Sequence, residues 1–284
     1  MRDGIVKVEP TILQSGYDRK SCWVQTRCGM VPPATAVITT QKLRLSGSDI
    51  FSGICDLRSD DFGRTWTAPV VQPGLARRPN PDGTEDCPCD GTPAWHAASG
   101  TLLMTGHLAR YRDDELVPDP RPRATWYSVY DPARRRWSDW ETMALPADDP
   151  AAVDCGAGCT QRVDRPDGDI LLPLYFRVPG EAGRRARAAV ARCGFDGRRL
   201  LFRERGPELA CPEGRGFGEP SLVRFGARYY LTLRNDQRGY VTVGTDGLRF
   251  DPPVPWRFDD GTELGNYNTQ QHWIAHRHGL FLVY

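Results

Sequence analysis

The segment Gly265-Asn-Tyr-Asn-Thr-Gln-Gln-His272-Trp places Asn266, Asn268, Gln270, Gln271 and His272 within seven residues. Amides and an imidazole at that density can read sugar hydroxyls by hydrogen bonding; the competing reading is a loop whose amides satisfy its own backbone. His96 and His107 flank another turn. A neutral imidazole there could act as a general base, or be a packed and hydrogen-bonded residue. Cysteine opens a metal reading, because Cys87-Pro-Cys89 and Cys155-x3-Cys159 are two close pairs and four thiolates can hold zinc. Neither pair has the usual two-residue spacing and Pro88 stiffens the first. Buried or loop thiols are therefore expected, with no metal and no other cofactor. The run Arg134-Arg-Arg136 reads as a solvated hairpin, and Glu85 and Asp86 as loop residues.

The elements that must position these residues read as short strands. Residues 59–66, Ser-Asp-Asp-Phe-Gly-Arg-Thr-Trp, fit the pattern S-x-D-x-G-x-x-W. The Asp61 carboxylate can bond nearby backbone N–H groups, Gly63 tolerates positive φ, and Trp66 is expected to carry its apolar face back toward a core. A pattern then recurs at intervals of about 45–60 residues. The copies run through Ala34–Thr40 and Asp49–Leu57, then Thr92–His96, Thr101–His107 and Ala124–Tyr130. They continue through Cys159–Val163, Asp169–Phe176 and Ala186–Phe195, then Glu219–Phe225, Tyr229–Asn235 and Tyr240–Thr245. Asp246-Gly-Leu-Arg-Phe250 repeats the aspartate turn in degenerate form, and a fifth copy begins near residue 268. Several strands per repeat of this length predict propeller blades rather than a sandwich or a barrel.

Bulk properties narrow the class. The 29 glycines and 24 prolines are scattered through all 284 residues, as turns between many strands require. A net charge of +1 gives no basic footprint for nucleic acid, and no apolar run reaches the ~20 residues of a membrane helix. All but Lys7, Lys20 and Lys42 of the 37 basic residues are arginine. Nine cysteines with no apolar leader suggest reduced thiols in the cytoplasm.

With the 59–66 turn and the repeat in place, the chain resembles the sialidase (neuraminidase) superfamily, whose Asp-box, or BNR, repeats take this form. The resemblance implies one all-β domain over residues 1–284, a six-bladed β-propeller of which about four and a half blades are visible. It also implies particular site residues. Arg27, in Thr26-Arg-Cys-Gly-Met-Val-Pro32, resembles the opening arginine-before-proline motif, placed just before the first inner strand. Arg44 and Asp49 follow in the family's order ahead of the 59–66 turn. Glu219, in Glu219-Pro-Ser-Leu-Val223, and Arg234, fifteen residues later, resemble the inner-strand glutamate and a clamp arginine. Family members use three arginines for a substrate carboxylate, where bidentate guanidinium pairing suits the task. They use an aspartate as acid/base and a glutamate-activated tyrosine as nucleophile.

The implied activity is exo-sialidase-like hydrolysis of an acidic sugar. Arg27, Arg44 and Arg234 would hold its carboxylate, with Asp49 as acid/base and Glu219 as activator. Tyr267 is the nearest tyrosine, although it precedes the expected third arginine; that arginine and the tyrosine should lie toward or beyond Tyr284. Two rivals stay open. One is a propeller lyase, or a glycosidase of another sugar, using His107, His272 and the Gln270–Gln271 amides on uronate-containing glycans. The other is a non-catalytic carbohydrate-binding propeller.

Overall fold

The computed structural model describes residues 9–180, 185–265, 269–277 and 279–284, so Asn266, Tyr267 and Asn268 lie outside the described residues. The described residues form five antiparallel sheets in succession. Sheet I contains Ser21–Val31, Thr35–Arg44, Ile50–Ser59 and Val70–Val71. Sheet II is built on Glu85–His96, Thr101–Arg112 and Thr125–Asp131, with short flanking strands that include Arg136–Trp137. In sheet III, Cys155–Gly156 and Val163–Asp164 both pair with Ile170–Phe176, followed by Arg187–Phe195 and Leu200–Arg205. Sheet IV holds Gly218–Phe225, Arg228–Arg234, Tyr240–Gly244 and Val254–Pro255, and sheet V the hairpin His272–His276 and Gly279–Val283. Among the described residues no helix is long and apolar enough to cross a membrane.

Strand periodicity explains why the sheets stack. Side chains alternate between the two faces of a strand, so one apolar run can feed two cores. Leu102 and Met104 pack with Val37, Ile54, Trp126 and Trp137 between sheets I and II, whereas Leu103 packs with Ile170, Leu172 and Leu174 between sheets II and III. Leu171, pointing the opposite way from its neighbours, joins Leu222, Leu231 and Leu233 between sheets III and IV. Each middle strand is thereby buried on both faces, and all of Ile170–Phe176 is buried.

Two expected boundaries shift. Arg27 does not precede the first inner strand; it lies within it, because Ser21–Val31 forms a long innermost strand packed on Glu85–His96 and Thr35–Arg44 is the second. A register break between Val24 and Arg27 spoils the alternation that would have revealed it. Likewise Glu85 and Asp86 are strand residues rather than loop: Asp86 takes a bidentate ion pair from Arg110 at 2.7 and 2.9 Å.

The outer turns share one device. After the third strand of sheets I to IV an aspartate Oδ1 accepts two backbone N–H bonds, at Asp61, Asp131, Asp196 and Asp246, all between 2.7 and 3.0 Å. At Asp61, the bond from the Thr65 amide contributes most to holding the carboxyl well below the usual range. Trp66 does not reach a core. Its ring folds over Gly63 and its indole N–H donates to the Gly63 carbonyl at 2.9 Å, closing the turn on itself. Trp137 supplies the buried ring instead, tying sheets I and II by donating from Nε1 to Asp56 Oδ2 at 3.1 Å. Asp56 also accepts from Gln72 at 2.9 Å, and burial pushes its carboxyl up to about 6.

Trp137→Ala opens the core between sheets I and II and removes the Asp56 donor. Equilibrium denaturant unfolding should show a loss of about 3–5 kcal/mol; a loss below about 1 kcal/mol would contradict this account of the interface.

Candidate active site

Four inner strands break their pairing at the same level, each at a non-glycine residue with positive φ. These are Gln25 (57°) in sheet I, Asp90 (55°) in sheet II and Glu219 (43°) in sheet IV. In sheet III, Cys159 (55°) occupies the gap between Cys155–Gly156 and Val163–Asp164. A bulge adds a residue to one strand and re-aims its side chain. Left-handed backbone at a residue other than glycine costs on the order of 1–3 kcal/mol each. Here the side chains converge. Gln25, Asp90 and Glu219 line one cavity of about 320 Å³, and the Cys159 thiol donates to Gln25 Oε1 at 3.4 Å. The backbone N–H of Cys159 donates to the Asp90 carbonyl at 3.0 Å, which joins sheets II and III at this level.

Arginine surrounds the cavity. Arg234 pairs with Glu219 Oε1 at 2.6 Å, while Glu219 Oε2 is buried with no hydrogen-bond partner among the described residues. Arg215 forks onto Asp236 at 2.7 and 2.9 Å. Arg121 meets Asp119 at 3.3 Å, and Arg177 meets Asp119 at 3.7 Å and Asp154 at 3.5 Å. Arg123 sits over the Tyr175 ring at 5.0 Å with its Nε 3.3 Å from Asp154. All five arginines line the cavity.

Deepest lie Asp90, His107 and Tyr175. His107 Nδ1 is 3.1 Å from the Tyr175 hydroxyl and 3.3 Å from Asp90 Oδ2. Burial, then the positive charges of Arg123 and Arg121, holds the imidazole well below its usual value, so it is neutral at pH 7. Burial, then the Glu219 charge, pushes Asp90 up to about 7. Burial also drives the Tyr175 hydroxyl and the Cys159 thiol well up, so both stay protonated. Glycines make this packing possible. A Cβ on Gly158 would lie 1.9 Å from His107 Nδ1, and one on Gly156 would lie 2.5 Å from His107 Cβ.

The residues singled out in the sequence fall in three places. Asp49, His107, Glu219, Arg234 and Gln270 line the cavity together. Asp49 sits at an exposed turn with φ of 55°, and its carbonyl accepts from the Tyr111 hydroxyl at 2.6 Å. Arg27 and His272 line a neighbouring pocket that shares Gln270. Nε and Nη2 of Arg27 are buried without hydrogen-bond partners among the described residues. His272 Nε2 bonds the Cys159 carbonyl at 2.9 Å, and burial and then Arg27 push the ring down to about 4. Gln271 lines neither pocket; it is buried behind them, its amide atoms without hydrogen-bond partners among the described residues. Arg44 does not line the cavity; it is exposed and paired with Asp114. His96 lies elsewhere, its two ring nitrogens bonded to Ser99 Oγ at 2.7 Å and the Gly168 carbonyl at 2.9 Å.

Sequence reasoning missed Asp90, Tyr175, Arg121, Arg123, Arg177, Arg215 and Asp236. For Asp90 a signal existed, since Asp90-Gly-Thr-Pro93 opens its repeat as Glu219-Pro-Ser does in sheet IV. The cysteine pairs are also accounted for: Cys87 and Cys89 are buried in an inner strand, Cys155 in the core between sheets II and III. The described residues contain no group of three or more His, Cys, Asp or Glu able to hold a metal ion.

Two outcomes follow from this geometry. Gly158→Ala drives a methyl into His107, so the ring signals of His107 should shift in NMR spectra while unfolding stays cooperative; unchanged signals would show that His107 is not held by this segment. For Asp90, the folded value near 7 lies above the unfolded value near 3.8. Its contribution to stability is therefore fully present below about pH 4 and is lost as pH rises through 7. The loss is on the order of 4 kcal/mol. Asp90→Asn should flatten the denaturation free energy between pH 4 and 7, and an unchanged slope would refute the assignment.

No protein-family model matches the chain, and no curated protein sequence matches it. Solved structures do. Hadza microbial sialidase Hz136 is similar with a TM-score of 0.64 at 13% identity, over 89% of this chain and 50% of that one. Trypanosoma rangeli sialidase with the inhibitor DANA gives 0.61 at 13% identity, over 92% and 43%. The leech intramolecular trans-sialidase complexed with 2,7-anhydro-Neu5Ac gives 0.64 at 11% identity, over 95% and 56%. The chain thus spans about half the length of these three proteins. At such identities the likeness is one of architecture: the chain has the all-β fold of the sialidases.

Proposed function

We propose that this chain carries the acidic-sugar site of a sialidase-like glycoside hydrolase on a six-bladed propeller. One observation carries the reading: the Glu219–Arg234 ion pair lies in the same cavity as Asp49, ringed by Arg121, Arg123, Arg177 and Arg215. Five guanidinium groups around one small cavity favour an anionic ligand, and their planar forks suit a carboxylate. The solved complexes of Trypanosoma rangeli sialidase with sialic acid and DANA support the choice of an acidic sugar. In this reading Arg234 and Arg215 hold the carboxylate. A carboxyl group of the cavity protonates the departing oxygen, and Glu219 draws the proton from the attacking hydroxyl. Tyr175 is the cavity's tyrosine among the described residues, and its hydroxyl lies 3.1 Å from Nδ1 of the neutral His107.

A second reading rests on that Tyr175–His107 contact. In a lyase acting on uronate glycans, a tyrosine–histidine pair exchanges protons at the sugar ring while arginines neutralise the uronate carboxylate. Elimination leaves an unsaturated, ultraviolet-absorbing sugar and consumes no water.

Calorimetry with N-acetylneuraminic acid, its methyl ester and glucuronate tests the site. The acid should bind at least about tenfold tighter than its ester, and Arg234→Ala should weaken it about 10- to 100-fold. Equal binding of acid and ester would remove the carboxylate reading. Turnover of a fluorogenic sialoside favours the hydrolase, and an unsaturated product from uronate glycans favours the lyase. Binding without either favours a carbohydrate-binding propeller.

A further inference from the structure

The five cavity arginines differ in how closely carboxylates hold them. On sheet IV the pairing is tight: Arg234 meets Glu219 at 2.6 Å, and Arg215 donates from Nε and Nη2 to Asp236 at 2.9 and 2.7 Å. On the side of sheets II and III the pairing is loose. Arg121, Arg123 and Arg177 share Asp119 and Asp154, through contacts of 3.3, 3.3, 3.5 and 3.7 Å. Three guanidinium charges thus pair with two carboxylates among the described residues.

Arg123 is the least satisfied of the three. Its Nε approaches Asp154 Oδ1 at 3.3 Å without hydrogen-bond alignment, and its guanidinium donates no hydrogen bond among the described residues. Its side chain is only 11% exposed, lies over the Tyr175 ring and lines the cavity. Its nitrogens nonetheless keep accessible surface, unlike Nε and Nη2 of Arg27. An enclosed guanidinium with open donors favours an anion that can accept from them.

Backbone bonds fix this cluster in place. The Arg123 amide donates to the Val153 carbonyl at 3.1 Å, the Cys155 amide to the Arg123 carbonyl at 3.2 Å, and the Arg177 amide to the Asp154 carbonyl at 3.0 Å. Nη1 of Arg121 is anchored on the Val117 carbonyl at 3.0 Å. The donors are therefore ordered before a ligand arrives, which lowers the entropic cost of binding.

We infer that Arg121, Arg123 and Arg177 form a second anion subsite in this cavity, and that its preferred ligand is a glycan with two acidic groups. The inference rests on the acidic-sugar reading above, in which Arg234 and Arg215 take the sugar carboxylate. It adds a second anionic group, a sulfate ester or a further carboxylate, held by Arg123 and its two neighbours.

Calorimetry at low ionic strength, where charge pairing is least screened, tests this with inorganic sulfate and three sugars. The sugars are N-acetylneuraminic acid, its 8-O-sulfate, and an α2,8-thio-linked disialic acid that resists hydrolysis. At least one doubly acidic sugar should bind about tenfold or more tighter than N-acetylneuraminic acid, and the one that does so names the second group. That advantage should fall below about threefold in Arg121→Gln and in Arg177→Gln. Inorganic sulfate should bind the wild type together with N-acetylneuraminic acid, and Arg121→Gln should weaken sulfate about tenfold. The Asp119 partner of Arg121 is 42% exposed and also meets Arg177, so Arg121→Gln strands no buried charge and reports even if Arg177→Gln does not fold. The inference is overturned if sulfate displaces N-acetylneuraminic acid, if neither doubly acidic sugar binds tighter, or if the advantage survives Arg121→Gln. Failure of the acidic-sugar reading looks different: N-acetylneuraminic acid and its methyl ester would bind alike, while sulfate binding would still depend on Arg121.

Discussion

Left-handed backbone at Gln25, Asp90, Cys159 and Glu219 is the constraint on which the rest depends. A regular inner strand would send alternate side chains toward its two neighbouring sheets and leave the edge with bare backbone. One extra residue per strand turns a side chain out of that alternation and toward the centre. The four conformations are individually unfavourable, so the surroundings must over-determine them. Bonds between neighbouring sheets supply this, among them the Cys159 amide to the Asp90 carbonyl and the Leu222 amide to the Gln161 carbonyl.

Charge balance within the cavity follows from the same placement. Asp90, Glu219, Asp236 and Asp49 come from three different sheets, and arginines from three sheets or their connections interleave with them. Glu219, Asp236, Asp119 and Asp154 each have an arginine partner, whereas Asp90 faces an uncharged ring. Burial of a carboxyl beside a neutral imidazole favours its protonated form, and burial beside a guanidinium favours the charged one. The site thus gives its carboxyl groups two different surroundings within one small space.

Much of the fold was legible in the chain. The 59–66 turn, the repeat and the apolar runs at 101–107, 170–176 and 229–234 locate the middle strands, because those strands are buried on both faces and their composition records it. The inner strands were harder to read. Ser21–Val31 and Glu85–His96 carry bulges, mixed polarity and, at Pro88, a residue disfavoured in strands, so period-two reasoning loses them. The site was legible only where a residue adjoined a recognisable strand, as with Glu219 and Arg234. Arg121 and Arg123 lie in an irregular Pro-rich link, and Arg215 in the approach to sheet IV; only the folded arrangement brings them to the cavity. Tyr175 was hidden inside an apolar run that reads as core, and most of that run is core.

The aspartate turns on the outer rim are closed by bonds spanning only two to four residues, Asp61 with Thr65 and Asp196 with Arg199 among them. The collar around the cavity is joined instead by contacts across scores of residues, such as Cys159 to Gln25 and Tyr175 to His107. Rim turns are therefore closed mainly by local bonds and the collar by long-range ones. The rim is where loops can lengthen, tags can be grafted and a surface attachment point can be engineered while the collar keeps its shape.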